Sequence, residues 1–254
     1  MDEATVRDEL AMGDLNSFLT GFLHCRAQPQ APRERVPGGV LVTYVRPMRR
    51  SRELYLLAAE AGALRGFAPR PDDWVTVIGA LAEPPWPSWL DGMVPTTHEF
   101  VMAALLPLRA RARADGVVER GTAADIAALH ARGEFPPIEP GLAGSTRATL
   151  LVARDGDRDR GRDRGEIGAI GRWGWGEGAD IVVDRMATHA RFRRRGLATA
   201  ILAAASAAAH RAGARRALLF ASQMGRPVYE AVGFTVAAPV TIFVPRGAHT
   251  PAAQ

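Results

Sequence analysis

Apolar positions along this chain change period several times, and each change marks an element. Leu10, Met12, Leu15, Phe18, Leu19 and Phe22 recur mostly at intervals of three and four, which predicts a helix within residues 1–30. A loop rich in Pro, Arg and Gly follows over 28–39, and residues 40–45 alternate and branch like a strand. Leu54, Leu57, Ala58 and Ala61 fall on one face of a predicted helix over 52–62, with Gly62 as its stop. Residues 73–78, carrying Trp74-Val-Thr-Val-Ile78, read as a second strand. The Pro- and Trp-rich segment 84–89 fits neither a helix nor a central strand. Residues 98–106 form a third apolar run, also read as a strand. This β-α-β-β order describes a small α/β unit spanning residues 1–110.

An arginine-rich linker, 109–115, separates it from a second unit over 116–247. That unit opens with a strand at 117–120 and with Thr122 as N-cap of a helix over 123–132, Asp125 standing at the acidic position of a capping box. The Pro- and Gly-rich stretch 133–145 is expected to be a mobile loop over a site. Strands at 147–154 and 166–175 flank the charged, repeat-like 155–165, whose alternating Asp and Arg can bury nothing and so predict a solvated hairpin tip. A strand over 181–188, a tight loop and an Ala-rich helix over 197–211 come next, with Gly213 as the helix stop. The chain then gives a strand at 217–221, a short helix at 227–232 with Pro227 in its first turn, and a final strand at 235–244.

Composition narrows the function classes. The chain has 254 residues with a hydrophobic fraction of 47 %, enough for a sizeable core. No run approaches the roughly 18–20 apolar residues of a membrane span. The opening Met-Asp-Glu-Ala-Thr carries no basic region followed by an apolar core, so no signal peptide is expected and the cytoplasm is the expected compartment. The single cysteine, Cys25, rules out an internal disulfide and a cysteine metal cluster, and no metal site is expected. All 32 basic residues are arginine, which with the abundant alanine reads as a high-GC coding bias. The net charge of +5 suits an acidic ligand. Aromatics are not interleaved with the arginines, so nucleic acid is not an expected partner.

The most informative stretch is Arg193-Arg194-Arg195-Gly196-Leu197-Ala198, between a strand and a helix. A strand that turns tightly into a helix aims free backbone N–H groups at whatever lies above the loop, and phosphate oxygens fit there. Gly196 permits close approach to the backbone, and the arginines add forked donors. The physical reading is a diphosphate-binding loop. It lacks the Gly-Lys-Ser/Thr ending of a magnesium-nucleotide loop and the Gly-x-Gly-x-x-Gly spacing of a dinucleotide loop.

The pattern Arg-x-x-Gly-x-Ala carried by Arg193, Gly196 and Ala198 resembles the acetyl-CoA pyrophosphate loop of the GNAT N-acetyltransferase superfamily. Ser222-Gln-Met-Gly-Arg-Pro-Val-Tyr229-Glu-Ala-Val-Gly233-Phe234 resembles the segment that the family places about thirty residues further on. The resemblance covers roughly residues 116–245. It implies an α/β (α+β) fold with a mixed, mostly antiparallel sheet flanked by helices, preceded by a smaller α/β unit that reads as a degenerate GNAT-like copy. It also implies an acetyl-CoA-dependent N-acetyltransferase acting on the amine of a small molecule by direct attack in a ternary complex, as a monomer or homodimer. A non-catalytic acyl-CoA-binding regulatory protein of the same fold is the alternative.

The resemblance also assigns residues. Backbone N–H groups of Arg194, Arg195, Gly196, Leu197, Ala198 and Thr199, with Arg193, would hold the pyrophosphate. The strand end Met186, Ala187 and Thr188 would pair with the pantetheine arm, in a gap where that strand splays from its neighbour. Tyr229, four residues before Gly-Phe, matches the general acid for the leaving thiolate, a phenol having a pKa just above that of a thiol; it is otherwise a helix residue packed on the core. Asp184 lies two residues before Met186, so alternation would put both on one face. It would bind or deprotonate a substrate ammonium, or form an ion pair with a nearby arginine. Glu166 and Glu177 are further base candidates, and His189 reads as structural or solvent-facing. Trp173 and Trp175 could line an acceptor site. Three positions depart from the family pattern: Ala190 replaces a Pro, Ser222 replaces the commoner Asn, and Ala198 replaces a second Gly.

Overall fold

The computed structural model describes residues 12–46, 50–58, 64, 67–81, 86–110, 116–155 and 165–247. In chain order these form α1 (Met12–Cys25), β1 (Arg33–Val36), β2 (Gly39–Thr43), β3 (Arg52–Leu57), β4 (Asp73–Ile78), β5 (Met93–Leu105), β6 (Gly116–Arg120), α2 (Ala123–Arg132), β7 (Ala148–Asp155) and β8 (Ile167–Trp175). They continue with β9 (Asp180–Thr188), α3 (Leu197–Arg211), β10 (Arg216–Ser222), α4 (Arg226–Glu230) and β11 (Thr235–Pro245). All eleven strands join one sheet in the order β1-β2-β3-β4-β11-β5-β10-β9-β8-β7-β6. The pairs β3–β4 and β9–β10 are parallel and the others antiparallel, so the sheet is mixed and mostly antiparallel, as expected.

The order carries one surprise. β5 comes from the first half of the chain yet lies between β10 and β11 of the second, paired with β10 from Arg216↔Leu105 to Ser222↔Glu99 and with β11 along ten positions. α1 reaches across in the same way. Its Ser17 hydroxyl donates to Asp180 at 2.7 Å, and Val182 of β9 packs with its Leu15, Phe18 and Leu19. The two halves recognisable along the sequence therefore share a sheet and a core.

Two layers of helix cover the second half. α3 and α4 lie on one face, over a core that includes Val183, Leu219, Ile201 and Phe234. α1 and α2 cover the other face, over Val182, Val101 and Leu218 near α1 and over Ile126, Leu150 and Ile170 near α2. Thr122 and Asp125 form the expected capping box, and Gly133 ends α2 in the left-handed region.

Several expectations need correction. The predicted helix at 52–62 is the strand β3 over Arg52–Leu57; residues 59–63 lie outside those described. Its Leu54 and Leu56 face one core while Tyr55 and Leu57 face another. A strand buried on both faces shows no period-two signal, so Leu54 and Leu57, three apart and followed by Ala58 and Ala61, mislead. Residues Arg33–Val36, expected as loop, form the exposed edge strand β1, whose charges suit an edge. The stretch 133–145, expected to be a mobile loop, buries Phe135, Ile138 and Leu142 against β7 and β8. The third strand starts earlier than expected, at Met93. The charged tip at 156–164, the linker residues 111–115 and residues 1–11 lie outside the described residues.

Candidate active site

The site begins where β9 and β10 part. Their parallel ladder runs only from Asp180↔Arg216 to Val183↔Leu219, although β9 continues to Thr188 and β10 to Ser222. Beyond Val183 the β10-facing edge of β9 keeps backbone N–H and C=O groups that no ladder uses, which suits an extended ligand lying as an extra strand. Met186, Ala187 and Thr188 are on this edge, while their opposite side pairs with β8 through Ile170↔Ala187 and Ala169↔Thr188.

A bulge sits at the parting. Between the pairs Ile170↔Ala187 and Arg172↔Asp184, β8 has one residue and β9 has two. Arg185 takes a φ of 55°, in the left-handed region. The extra residue reverses the alternation, so Asp184 and Met186 do not share a face. Met186 packs with the α3-side core, tight against Gly171, where an added Cβ would clash with the Met186 Sδ. Asp184 points the other way, toward the end of α1, and forms an ion pair with Arg26 at 3.3 Å. Burial opposes its charge, but Arg26, Arg172 and Arg185 outweigh burial and hold the carboxyl below the ordinary carboxylate range. Of the two readings open for Asp184, the ion pair is the arrangement seen.

Above the parting lies the arginine loop. A single 3-10 turn, Ala190–Phe192, leads to Arg194 at φ 67° and Gly196 at φ 78°. Gly196 is the N-cap of α3 and provides no side-chain cap. The first helical hydrogen bond joins the Ala200 N–H to the Gly196 carbonyl, so the N–H groups of Leu197, Ala198 and Thr199 precede the ladder. A Cβ on Gly196 would meet nothing within 4 Å, so this end of the helix faces open space. Arg193 and Arg194 are exposed. Arg195 is drawn aside into an ion pair with Asp155 at 2.7 Å and lies over the Phe192 ring. The His189 ring accepts from the Arg191 N–H and sits against Phe135 and Phe192.

Tyr229 approaches the parting from α4, its ring edge-on to Phe234 with centroids 5.8 Å apart. Burial, and then the nearby charges of Asp184 and Glu99, push its phenol up from the usual tyrosine range and keep it protonated. The ring packs on the α3-side core. Ser222, at the end of β10, uses its hydroxyl to accept from the Gly225 N–H at 3.1 Å, which shapes the turn into α4. Trp173 is buried in the α3-side core with Trp175 packed edge-on to it, away from the Asp184 face. Glu166 is held by Arg132 and Arg191, and Glu177 lies beside Ser17 and Thr20 near the opposite end of β9.

Sequence reasoning missed a set of charged groups on the α1 face. Arg172, fully buried on β8, donates to the Pro137 and Cys25 carbonyls and to Glu139 at 2.7 Å. Glu53 of β3 accepts from Tyr44, Tyr55 and Thr76 at 2.8, 2.7 and 2.5 Å and pairs with Arg50. Burial is the largest influence on Glu53, yet Arg50 and the three hydroxyls overcome it and keep the carboxyl ionised. Glu99 of β5 lies on this same face, in the register of Val101 and Ala103, opposite Ser222 of β10. The available signal was a carboxylate at the head of each of two apolar strand runs, Glu53 before Leu54-Tyr-Leu-Leu57 and Glu99 before Phe100-Val-Met-Ala-Ala104.

The chain's similarities agree with this geometry. Residues 146–236, which hold the parting, the loop and Tyr229, match the acetyltransferase (GNAT) domain family. This stretch is a GNAT domain. No curated protein matches the chain in sequence. Among solved structures, a GCN5-related N-acetyltransferase from Kribbella flavida is similar over 94 % of this chain and 98 % of its own, with a TM-score of 0.65 and 18 % identity. A GNAT-family protein from Novosphingobium aromaticivorans is similar over 91 % of this chain and 96 % of its own, with a TM-score of 0.51 and 19 % identity. A GCN5-related N-acetyltransferase from Sphaerobacter thermophilus is similar over 81 % and 76 %, with a TM-score of 0.51 and 14 % identity. The first two cover nearly the whole chain, so the fold likeness includes the half that the family match leaves out.

Proposed function

We propose that this protein is an acetyl-CoA-dependent N-acetyltransferase that acetylates the amine of a small molecule by direct attack in a ternary complex. The observation that carries this reading is the parting of β9 from β10 after four paired positions, beneath a helix N-terminus left bare by Gly196. The residues fit acetyl-CoA. Unbonded N–H groups at the start of α3, with Arg193 and Arg194 beside them, suit a diphosphate. The unpaired edge from Met186 to Thr188 suits an amide-bearing arm that adds as a strand.

Acetyl-CoA supplies an acetyl thioester, whose carbonyl carbon receives the amine and whose sulfur leaves as a thiolate. Tyr229, protonated and half-buried, would donate its phenolic proton to that sulfur. Backbone N–H groups of β9 past Val183 would orient the acetyl oxygen and stabilise the charge that develops there.

Calorimetric titration of acetyl-CoA into the wild type and into Gly196→Trp, with desulfo-CoA as a control ligand, tests the reading. The indole enters open space beside the bare N–H groups, but the left-handed φ of Gly196 strains any side chain placed there, so the expected loss of binding is read only on a variant whose circular dichroism spectrum and melting match the wild type. A wild type that binds neither acetyl-CoA nor desulfo-CoA sinks the proposal.

A further inference from the structure

We propose that Glu99, contributed by the first half of the chain, is the base that takes the proton from the acceptor's ammonium group. This rests on the acetyltransferase reading above. The argument is one of elimination within a single cluster. Among the described residues, four carboxylates stand on the α1 face of the parting. Asp184 is held by Arg26, Glu53 by Arg50 and three hydroxyls, and Glu139 by the buried Arg172. Glu99 alone of the four has no hydrogen bond or ion pair among the described residues, although it is only partly exposed.

Its position suits the task. β5 runs beside β10, and Glu99 is opposite Ser222, the last residue of β10 before the turn into α4 and Tyr229. Glu99 is on the α1 face and the Tyr229 ring packs on the α3 face, so the two flank the gap from opposite sides. The groups facing Glu99 are Glu53 and Arg50 of the first half, Arg26 after α1, Asp184 of β9 and Tyr229 of α4. Burial, then repulsion from Glu53 and from Asp184, push its carboxyl above the usual range against the pull of Arg26 and Arg50, which makes it a stronger base than a solvated glutamate.

The proton count closes. One ammonium proton passes to a Glu99 oxygen and on to solvent. The freed lone pair forms the C–N bond while the C–S bond of acetyl-CoA breaks. The thiolate takes the Tyr229 proton, and the second proton leaving nitrogen restores Tyr229. Acetyl-CoA and an ammonium thus give an amide, a thiol and one proton.

The test measures thiol release from acetyl-CoA with ethylamine, spermidine and glucosamine from pH 6 to 9, for the wild type, Glu99→Gln and Glu99→Asp. Calorimetry with acetyl-CoA and thermal melting run alongside. Glu99→Gln should bind acetyl-CoA within about twofold of the wild type and melt no lower. Its kcat/KM should fall about 100-fold near pH 7 and recover as pH rises and the amine arrives already deprotonated, with Glu99→Asp in between. A Glu99→Gln profile that equals the wild type, or that falls by one factor at every pH, overturns the inference. So does a wild type that binds acetyl-CoA yet accelerates none of the three amines. Absent acetyl-CoA binding removes the underlying acetyltransferase reading instead.

Discussion

The sheet contains two parallel strand pairs, β3–β4 in the first half and β9–β10 in the second, and they begin alike and end differently. Each opens with a cross-strand Arg–Asp clasp between register partners. Arg52 grips Asp73 through its Nε at 2.9 Å and through Nη2, and Arg216 grips Asp180 at 2.9 and 2.8 Å. From there β3 and β4 stay together for all six positions, to Leu57↔Ile78. β9 and β10 separate after four, and the Arg185 bulge follows immediately. The zipped pair leaves no gap between its two strands for a ligand. The parted pair carries a row of unused backbone groups, under a helix N-terminus. Among the described residues, therefore, only the second half of the sheet parts to leave a slot between parallel strands, and the first half adds walls and charge.

Three changes would break or sharpen that contrast. The largest effect is expected for Asp184→Asn, which leaves Arg26 buried at the parting without its counter-charge. It should destabilise the fold by about 3–5 kcal/mol in chemical denaturation while the β3–β4 half, with its separate Arg50–Glu53 pair, keeps its own contacts. The pH dependence has a definite sign. The folded Asp184 carboxyl lies below its unfolded value, so its contribution is complete above the ordinary carboxylate range and is lost as pH falls through the folded value. The gap between wild type and variant should close in acid; a gap that widens there would show that Arg26 is not the partner.

Hydrogen exchange gives the next largest effect. Acetyl-CoA at about 100 times its Kd should slow the amides of residues 184–188 that face away from β8 by about 100-fold and leave residues 73–78 unchanged. Equal slowing of both strands would erase the distinction between the pairs. The smallest effect is expected for Gly171→Ala. The new methyl would meet the Met186 Sδ and, at 2.8 Å, the Ile201 Cγ2. Met186 can shift, so the expected loss is about 1–3 kcal/mol, read from the denaturation midpoint, with weaker acetyl-CoA binding as β9 moves. An unchanged midpoint would mean that the bulge does not depend on that contact.

Much of the second half was legible because its elements declare themselves locally. Thr122 and Asp125 cap α2, Gly213 follows α3, and the arginine loop sits between a clean strand and a clean helix. The first half was less legible because its elements are defined by what they pack on. β3 is buried on both sides and so lost its alternation, and the β1 edge looked like loop because edges are charged. At the site, the loop and the position of Tyr229 could be read from spacing. The face of Asp184 could not. Strict alternation sends it with Met186, and a single residue in the left-handed region, one with no glycine to announce it, reverses the answer. Glu99 was out of reach for a different reason: its role depends on β5 lying next to β10, and no local pattern states a pairing between strands more than a hundred residues apart in sequence.

That pairing has a consequence for how the protein can be taken apart. The GNAT match begins at residue 146, and the arginine-rich stretch after β5 looks like a place to cut. A fragment starting there would carry the arginine loop and Tyr229 but would lack the strand that joins β10 to β11, leaving two raw edges and an apolar seam between them. On the ribosome the same fact imposes an order of events. β5 emerges early and must wait, unpaired on both sides, until β10 and β11 have been made. The half that holds the parting is thus completed by a strand borrowed from the other half.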